Sequence, residues 1–191
     1  FQYLQKESSG YTGEVPISLA TSIDDKLYLG VTMGIPIIEY SERTLYGESF
    51  FSDTISDLTA FDLNRSLIVS GSGINIKAGA IYRLNNNFRV GLSAHSPSYI
   101  YIQEEFNSSM RTSFSNGESS SESSPYGFFE YYLITPWKII LGASSTFNNL
   151  LLSIDYETID YSFISLQSDI ERFSEENDCL LYTSPSPRDG I

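Results

Sequence analysis

The sequence predicts an all-β fold: an up-and-down antiparallel transmembrane β-barrel, of which this chain holds about six strands as a fragment. Apolar and polar residues alternate with period two over segments longer than an ordinary globular strand. Tight turns and long polar loops follow one another in strict alternation. No stretch approaches the roughly 20 apolar residues of a membrane helix.

Three hairpins account for this alternation. The first has strands at 15–23 and 27–37 with a turn at 24–26, and residues 41–66 follow as a long, mostly acidic loop. The second has strands at 73–84 and from 88 to about 106 around an Asn turn at 85–87, and 107–124 is a Ser-rich loop. The third has strands at 129–147 and 150–157 around Asn148–Asn149, and the polar segment 165–178 holds a candidate short helix.

The alternation of short turns with long loops also predicts location and orientation. Barrels in the outer membrane of Gram-negative bacteria have tight turns on the periplasmic side and long loops outside. A soluble β-sandwich, or an adhesin made of hairpins, explains the period-two pattern equally well. It explains less well why one face is apolar while the other mixes Gly, Ser, Thr, Asn, Lys and Arg. Because a bilayer does not tolerate open sheet edges, we expect the intact barrel to have further strands.

The composition argues against several other functions. The chain has 24 acidic and 11 basic residues and a net charge of -13, whereas nucleic-acid binding requires basic surface. Its single His excludes a His-based metal cluster within this fragment. Gly71-Ser72-Gly73 precedes a strand, so it is not a phosphate-binding loop. Asp155 and Glu157 resemble an acid pair, but in a barrel they are more simply lumen residues. We therefore expect no catalytic residue, metal or cofactor, and no enzyme.

The two ends of the chain need separate interpretation. The sequence opens at Phe1 without a start methionine, so we expect any export signal to lie upstream. The run from Cys179 to Asp189 resembles one reading frame of a transposase-type sequencing adapter. The expected organisation is thus a partial outer-membrane barrel at 1–178 and a non-native tail at 179–191. The alternative is a genuine Pro/Ser-rich terminus.

Several segments resemble the FadL/TodX family of outer-membrane transporters, especially its Bacteroidetes-type members. The segments are Gly71–Arg83, which runs through the Asn turn into Arg89–Pro97, then Leu133–Lys138 and Leu152–Ser162. Together they cover about residues 66–164, and residues 14–40 fit more loosely. The resemblance implies a barrel of about fourteen strands with an N-terminal hatch, and a kinked strand as a lateral exit.

The resemblance implies passive transport of long-chain fatty acids or hydrophobic aromatics, with outer-membrane lipid as the surroundings of a monomeric barrel. The alternative is a non-transport outer-membrane β-protein, such as an adhesin or a structural barrel. Pro36, Pro97 and Pro136 each remove a ladder hydrogen bond. Any of them is a candidate kink, and the alternative is that they end the ladder near a rim.

The three-residue turn at 85–87 also predicts a register. It places Arg83 opposite Arg89 and Lys77 opposite His95. This basic stripe either draws a fatty-acid carboxylate inward or pairs with the plug or the opposite wall. The lumen-facing candidates are Lys77, Arg83, Arg89, His95, Asp155 and Glu157. The residues expected to face lipid are Val31, Met33, Ile76, Ala78, Val90, Leu92, Leu141, Leu152 and Ile154.

Overall fold

The computed structural model describes residues 1–50, 57–168 and 173–183, and the strands among them form one ten-stranded antiparallel sheet. The predicted all-β, up-and-down fold is confirmed. A 3₁₀ turn covers Tyr161–Phe163 and a helix, α1, covers Ser174–Thr183. The strands are β1 (Gln2–Ile23), β2 (Leu27–Ser49), β3 (Leu58–Arg83), β4 (Phe88–His95), β5 (Tyr99–Phe114), β6 (Ser119–Ser123), β7 (Gly127–Ile134), β8 (Lys138–Phe147), β9 (Leu150–Ile159) and β10 (Ser165–Gln167).

The first four strands pair in chain order, and the later ones pair as segments of longer strand paths. Strand β2 pairs with β1 and β3, and β3 pairs with both β4 and β5. Strand β8 then pairs with β4 and β9, while β7 pairs with β5 and β10. Strands β4 and β5 both pair with β3, so they are two segments of one longer strand path. Strands β7 and β8 are likewise two segments of the next path, since they pair with β5 and β4. Within the described ranges, β1 pairs with β2 alone and β9 with β8 alone, so each leaves one edge of its backbone unpaired.

The three tight turns lie where the sequence predicts them. Asp24 and Asp25 both have φ of 52°, the left-handed conformation that a two-residue hairpin turn requires. The side-chain oxygen of Asn85 accepts hydrogen bonds from two backbone N–H groups of its own turn, each at 2.9 Å. Asn148 has φ of 49°. Short Asp and Asn side chains tolerate this conformation better than other non-glycine residues do.

The two long loops expected from the sequence are wrong in extent. Strand β2 continues to Ser49 and β3 begins at Leu58, so much of 41–66 is strand, and residues 51–56 lie outside the described ranges. The Ser-rich segment 107–124 is largely a hairpin, because β5 reaches Phe114 and pairs with β6. These strand extensions are rich in polar residues and lack a regular period-two pattern of apolar residues. The sequence pattern therefore does not predict them as strands.

The sheet has almost no apolar core. Among the described residues, the buried apolar side chains are Ile100 and Ile102, each 5% exposed, and Pro36. A soluble sandwich would bury the inner faces of two sheets, whereas all the described strands belong to one sheet. The soluble-sandwich alternative therefore does not fit.

The chain divides into two compact units. Unit 1 comprises 1–12, 38–71 and 102–130, and unit 2 comprises 13–37, 72–101 and 131–191. In unit 2, the side chain of Asn177 in α1 both accepts from the N–H of Leu166 and donates to its carbonyl, at 2.7 and 3.0 Å. The predicted boundary after Asp178 falls inside α1, and residues 184–191 lie outside the described ranges. The non-native origin of the tail stays a prediction.

Candidate functional site

All six predicted site residues lie on one face of the sheet in unit 2, which we call the polar face. Residues directly opposite each other on neighbouring strands share a face. Arg83 pairs with Arg89 and Lys77 with His95, as the turn length predicts. From β3 across β4 and β8 to β9, the rows of this face are Lys77, His95, Lys138 and Ile159; Gly79, Ser93, Ile140 and Glu157; Ile81, Gly91, Gly142 and Asp155; and Arg83, Arg89, Ser144 and Ser153.

The opposite face of unit 2 is apolar and uncovered. Its central row consists of Ala80, Leu92, Leu141 and Tyr156. Most of the large residues of this face that the sequence assigns to lipid are exposed, from 39% at Met33 to 73% at Ile154, whereas Val90 is half-buried. A water-soluble protein rarely leaves so many neighbouring apolar side chains open.

The two lysines of the polar face are neutralised by carboxylates from neighbouring parts of the sheet. Lys77 forms an ion pair with Glu14 of β1. Lys138 lies 3.0 Å from the carboxylate of Glu157 on β9. The sequence analysis missed Glu14, although it shares the parity of Pro16 and Ser18 on the polar side of its strand.

Glu14 on β1 and Asn75 on β3 meet across the intervening strand β2. Asn75 is only 6% exposed, and its Nδ2 donates to Glu14 Oε2 at 2.8 Å and to Ser98 Oγ at 3.0 Å. A Cβ at Gly34 of β2 would lie 2.5 Å from Asn75 Oδ1 and 2.7 Å from Glu14 Cδ. The two side chains pass over β2 because Gly34 has none. We call Glu14, Asn75 and Ser98 the polar bridge.

Three adjacent strand paths of unit 2 are interrupted at one level. On the side of the tight turns, the regular ladder ends at three residues that lie opposite one another on neighbouring strands: His95, Lys138 and Ile159. Beyond them, pairing resumes between Ser165 and Ile134. We call the interrupted segments the break line; they are 96–98 between β4 and β5, 135–137 between β7 and β8, and 160–164 between β9 and β10.

Proline causes two of these interruptions, since it has no N–H to donate to the ladder. Pro97 and Pro136 lie in the first two segments, whereas Pro36 lies inside β2 without interrupting it. The alternative that Pro97 and Pro136 end the ladder at a rim is wrong, because strands continue on both sides of them.

Side-chain hydroxyls take over the backbone bonds that the break line loses. The N–H of Ile76 donates to Ser96 Oγ at 2.9 Å. The N–H of Ser98 donates to Thr135 Oγ1 at 2.8 Å, and the N–H of Thr135 donates to the Ser98 carbonyl at 3.1 Å. Together with the polar bridge, these contacts form a hydrogen-bonded chain from β1 to residue 135. The break line is thus closed partly by side-chain hydroxyls and partly by two backbone bonds, the second of which runs from the N–H of Ser96 to the Ile76 carbonyl at 2.8 Å.

An open groove of about 530 Å³ lies on the polar face. Its floor is made of residues with little or no side chain, including Gly30, Gly79, Gly91, Ser93 and Gly142. Lys77, His95 and Asp155 also line the groove. The groove therefore has room beside charged groups on a face where larger residues would fill it.

The part of the chain that the structure describes contains no cluster of three His, Cys, Asp or Glu residues suited to a metal ion. Its helices, in the same ranges, are too short and too polar for a membrane-crossing helix.

No protein-family model and no curated protein matches the sequence. Among solved structures, the chain is similar to a TodX deltaS2S3 mutant, described as a monoaromatic hydrocarbon channel. The TM-score is 0.36 and the identity 10%, and the match covers 85% of this chain and 59% of the channel. Because this TM-score is below 0.5, we base the function on the geometry of the sheet alone.

Proposed function

We propose that this protein is an outer-membrane transporter that passively moves hydrophobic compounds, such as long-chain fatty acids or aromatics, across the outer membrane of a Gram-negative bacterium. The break line is the observation that carries the proposal. A polar pore offers an apolar solute no advantage, so such a transporter needs an opening through its wall into the bilayer. Three strand paths that lose their ladder at one level are suited to that opening.

The membrane location is supported by unit 2. Strands β8 and β9 have 10 residues each, and about 9–11 tilted residues cross the hydrocarbon core. The exposed apolar face would contact lipid, and the polar face would line the lumen, as in membrane barrels. The free edges of β1 and β9 have no place in a bilayer, so the working form is a barrel closed by further strands, which we take to be monomeric.

The chemistry of the break line favours transient opening. A continuous antiparallel ladder loses many backbone bonds together when two strands separate. Across the break, Ser98 and Thr135 hold the strands through one hydroxyl contact and one backbone contact. Separation there breaks fewer bonds, and the hydroxyls rotate to new partners.

A cross-link over the break line tests this proposal. With Cys179 replaced by Ser, cysteines are introduced at Ser98 and Thr135, and uptake of radiolabelled oleate and toluene is measured in Gram-negative cells. Oxidation should lower uptake of the transported compound, and reduction should restore it. The matched control carries cysteines at Ser145 and Leu152, which pair directly in the regular ladder between β8 and β9 and lie on the apolar face, away from the groove.

The control cross-link should leave uptake unchanged. Uptake of both compounds that is unaffected by the disulfide at 98 and 135 would contradict transport through the break line. No uptake above that of cells lacking the protein would instead favour the adhesin or structural barrel.

A further inference from the structure

The polar face ends, beside the tight turns, in a row of hydrogen-bond donors. Arg83 lies opposite Arg89, Arg89 opposite Ser144, and Ser144 opposite Ser153. We call these four residues the donor row. They lie on four neighbouring strand segments and on the same face, so their side chains project in the same direction.

The arginines of this row differ from the lysines of the same face. Lys77 and Lys138 each have a glutamate partner. For Arg83 and Arg89, no ion pair exists within the ranges that the structure describes. Like charges directly opposite each other destabilise a strand pair, so the sheet carries a cost at this position that no carboxylate among those residues offsets.

Arg83 is also held in place with a donor unused. Its guanidinium carbon lies 6.0 Å from the centre of the Tyr28 ring, a cation–π distance. Its Nε is buried and has no hydrogen-bond partner among the described residues. A buried, unpartnered donor calls for an acceptor, and beside a second guanidinium an acceptor with negative charge fits best.

We propose that the donor row binds an oxyanion, a carboxylate or phosphate group. The planar forks of two arginines match such a group in charge and geometry, and the hydroxyls of Ser144 and Ser153 are further donors. One bound oxyanion would both separate the like charges and satisfy Arg83 Nε.

The neighbouring row suggests what the oxyanion is attached to. The next row of the polar face, two residues away from the donor row on each strand, contains Ile81, Gly91 and Gly142, and these residues line the polar-face groove. Their small or apolar surface leaves room for a hydrocarbon chain next to the charged end. An amphipathic anion therefore fits the site better than a free inorganic ion, and this part of the inference rests on the proposed function.

Binding is measured by calorimetry on the protein folded in non-ionic micelles, with dodecanoate, dodecyl phosphate, neutral dodecanol, acetate and inorganic phosphate as probes. Replacing both arginines, Arg83→Gln and Arg89→Gln, should weaken dodecanoate binding by about tenfold or more, since charge-assisted bonds are lost. Dodecanol binding should not change. The control carries Arg65→Gln and Arg111→Gln, which remove the same two positive charges at exposed sites in unit 1, and should bind dodecanoate as the unmodified protein does.

Three outcomes decide whether the donor row binds an oxyanion. Equal dodecanoate binding by the unmodified protein and the double variant overturns the site. Acetate or inorganic phosphate binding as tightly as dodecanoate supports the oxyanion site but assigns it to free anions. If the double variant does not fold, Arg89→Gln alone is used, since this exposed side chain leaves no cavity, and unchanged binding then overturns the site. None of these measurements requires transport, so they separate this inference from the cross-linking test.

Discussion

A methyl group at Gly34 should break the polar bridge. The Cβ of Gly34→Ala would lie 2.5 Å from Asn75 Oδ1 and 2.7 Å from Glu14 Cδ, so one of these side chains must move. The bond between Asn75 and Glu14 is made to a carboxylate and contributes about 1.5–3 kcal/mol. Alanine offsets part of the loss, because it is favoured over glycine in a strand by about 0.5–1 kcal/mol. The net cost is about 0.5–2.5 kcal/mol.

The matched control is Gly30→Ala on the same strand and the same face. There the nearest atoms to a new Cβ are the Leu19 carbonyl oxygen at 3.8 Å and Ala20 Cβ at 4.0 Å. This variant should be as stable as the parent protein or more stable. Unfolding by urea in lipid vesicles is followed by the fluorescence of Trp137, the only Trp in the sequence, which lies in the break line.

Coupling to Asn75 identifies the cause. In an Asn75→Ala background, Gly34→Ala should cost less, because the side chain that it displaces is already absent. Equal stabilities of Gly34→Ala and Gly30→Ala in the unmodified background would refute the reasoning, since the bridge would then yield to a methyl group without cost.

Three further predictions concern other parts of the chain. Leu92→Arg on the apolar face should cost about 2–4 kcal/mol in vesicles, while Ser93→Arg on the polar face should cost much less; equal costs in urea titrations would contradict the membrane orientation. In unit 1, the hydroxyl of Tyr40 and the ammonium of Lys6 hold the pKa of Glu42 below its ordinary value of 4.5. The Glu42 carboxylate therefore stabilises the fold above pH 4.5, and this contribution is lost as the pH falls through the lowered pKa. Glu42→Gln should reduce the loss of unfolding free energy on acidification. An identical pH profile for this variant and the parent protein would contradict the prediction. Deleting residues 179–191 should leave Leu166 protected in hydrogen exchange, because Asn177, which bonds it, remains; rapid exchange of Leu166 would show that the tail supports the sheet.

The sequence by itself determined the hairpins, their turns and their faces. Side chains in a strand alternate with period two, and a turn of known length fixes which residues stand opposite each other. For this reason Arg83 opposite Arg89, and Lys77 opposite His95, followed from the Asn turn alone. The Asp and Asn residues predicted the turns, because their short side chains tolerate the left-handed conformation.

Only the tertiary structure decided which side chains meet across strands. The polar bridge needs β1 and β3 on either side of Gly34, and the break line needs three interruptions at one level. Neither follows from local pattern, since the residues concerned are far apart along the chain. The polar strand extensions of unit 1 were missed for a related reason: backbone pairing with a neighbouring strand holds them in place, and that pairing leaves no hydrophobic period in the sequence.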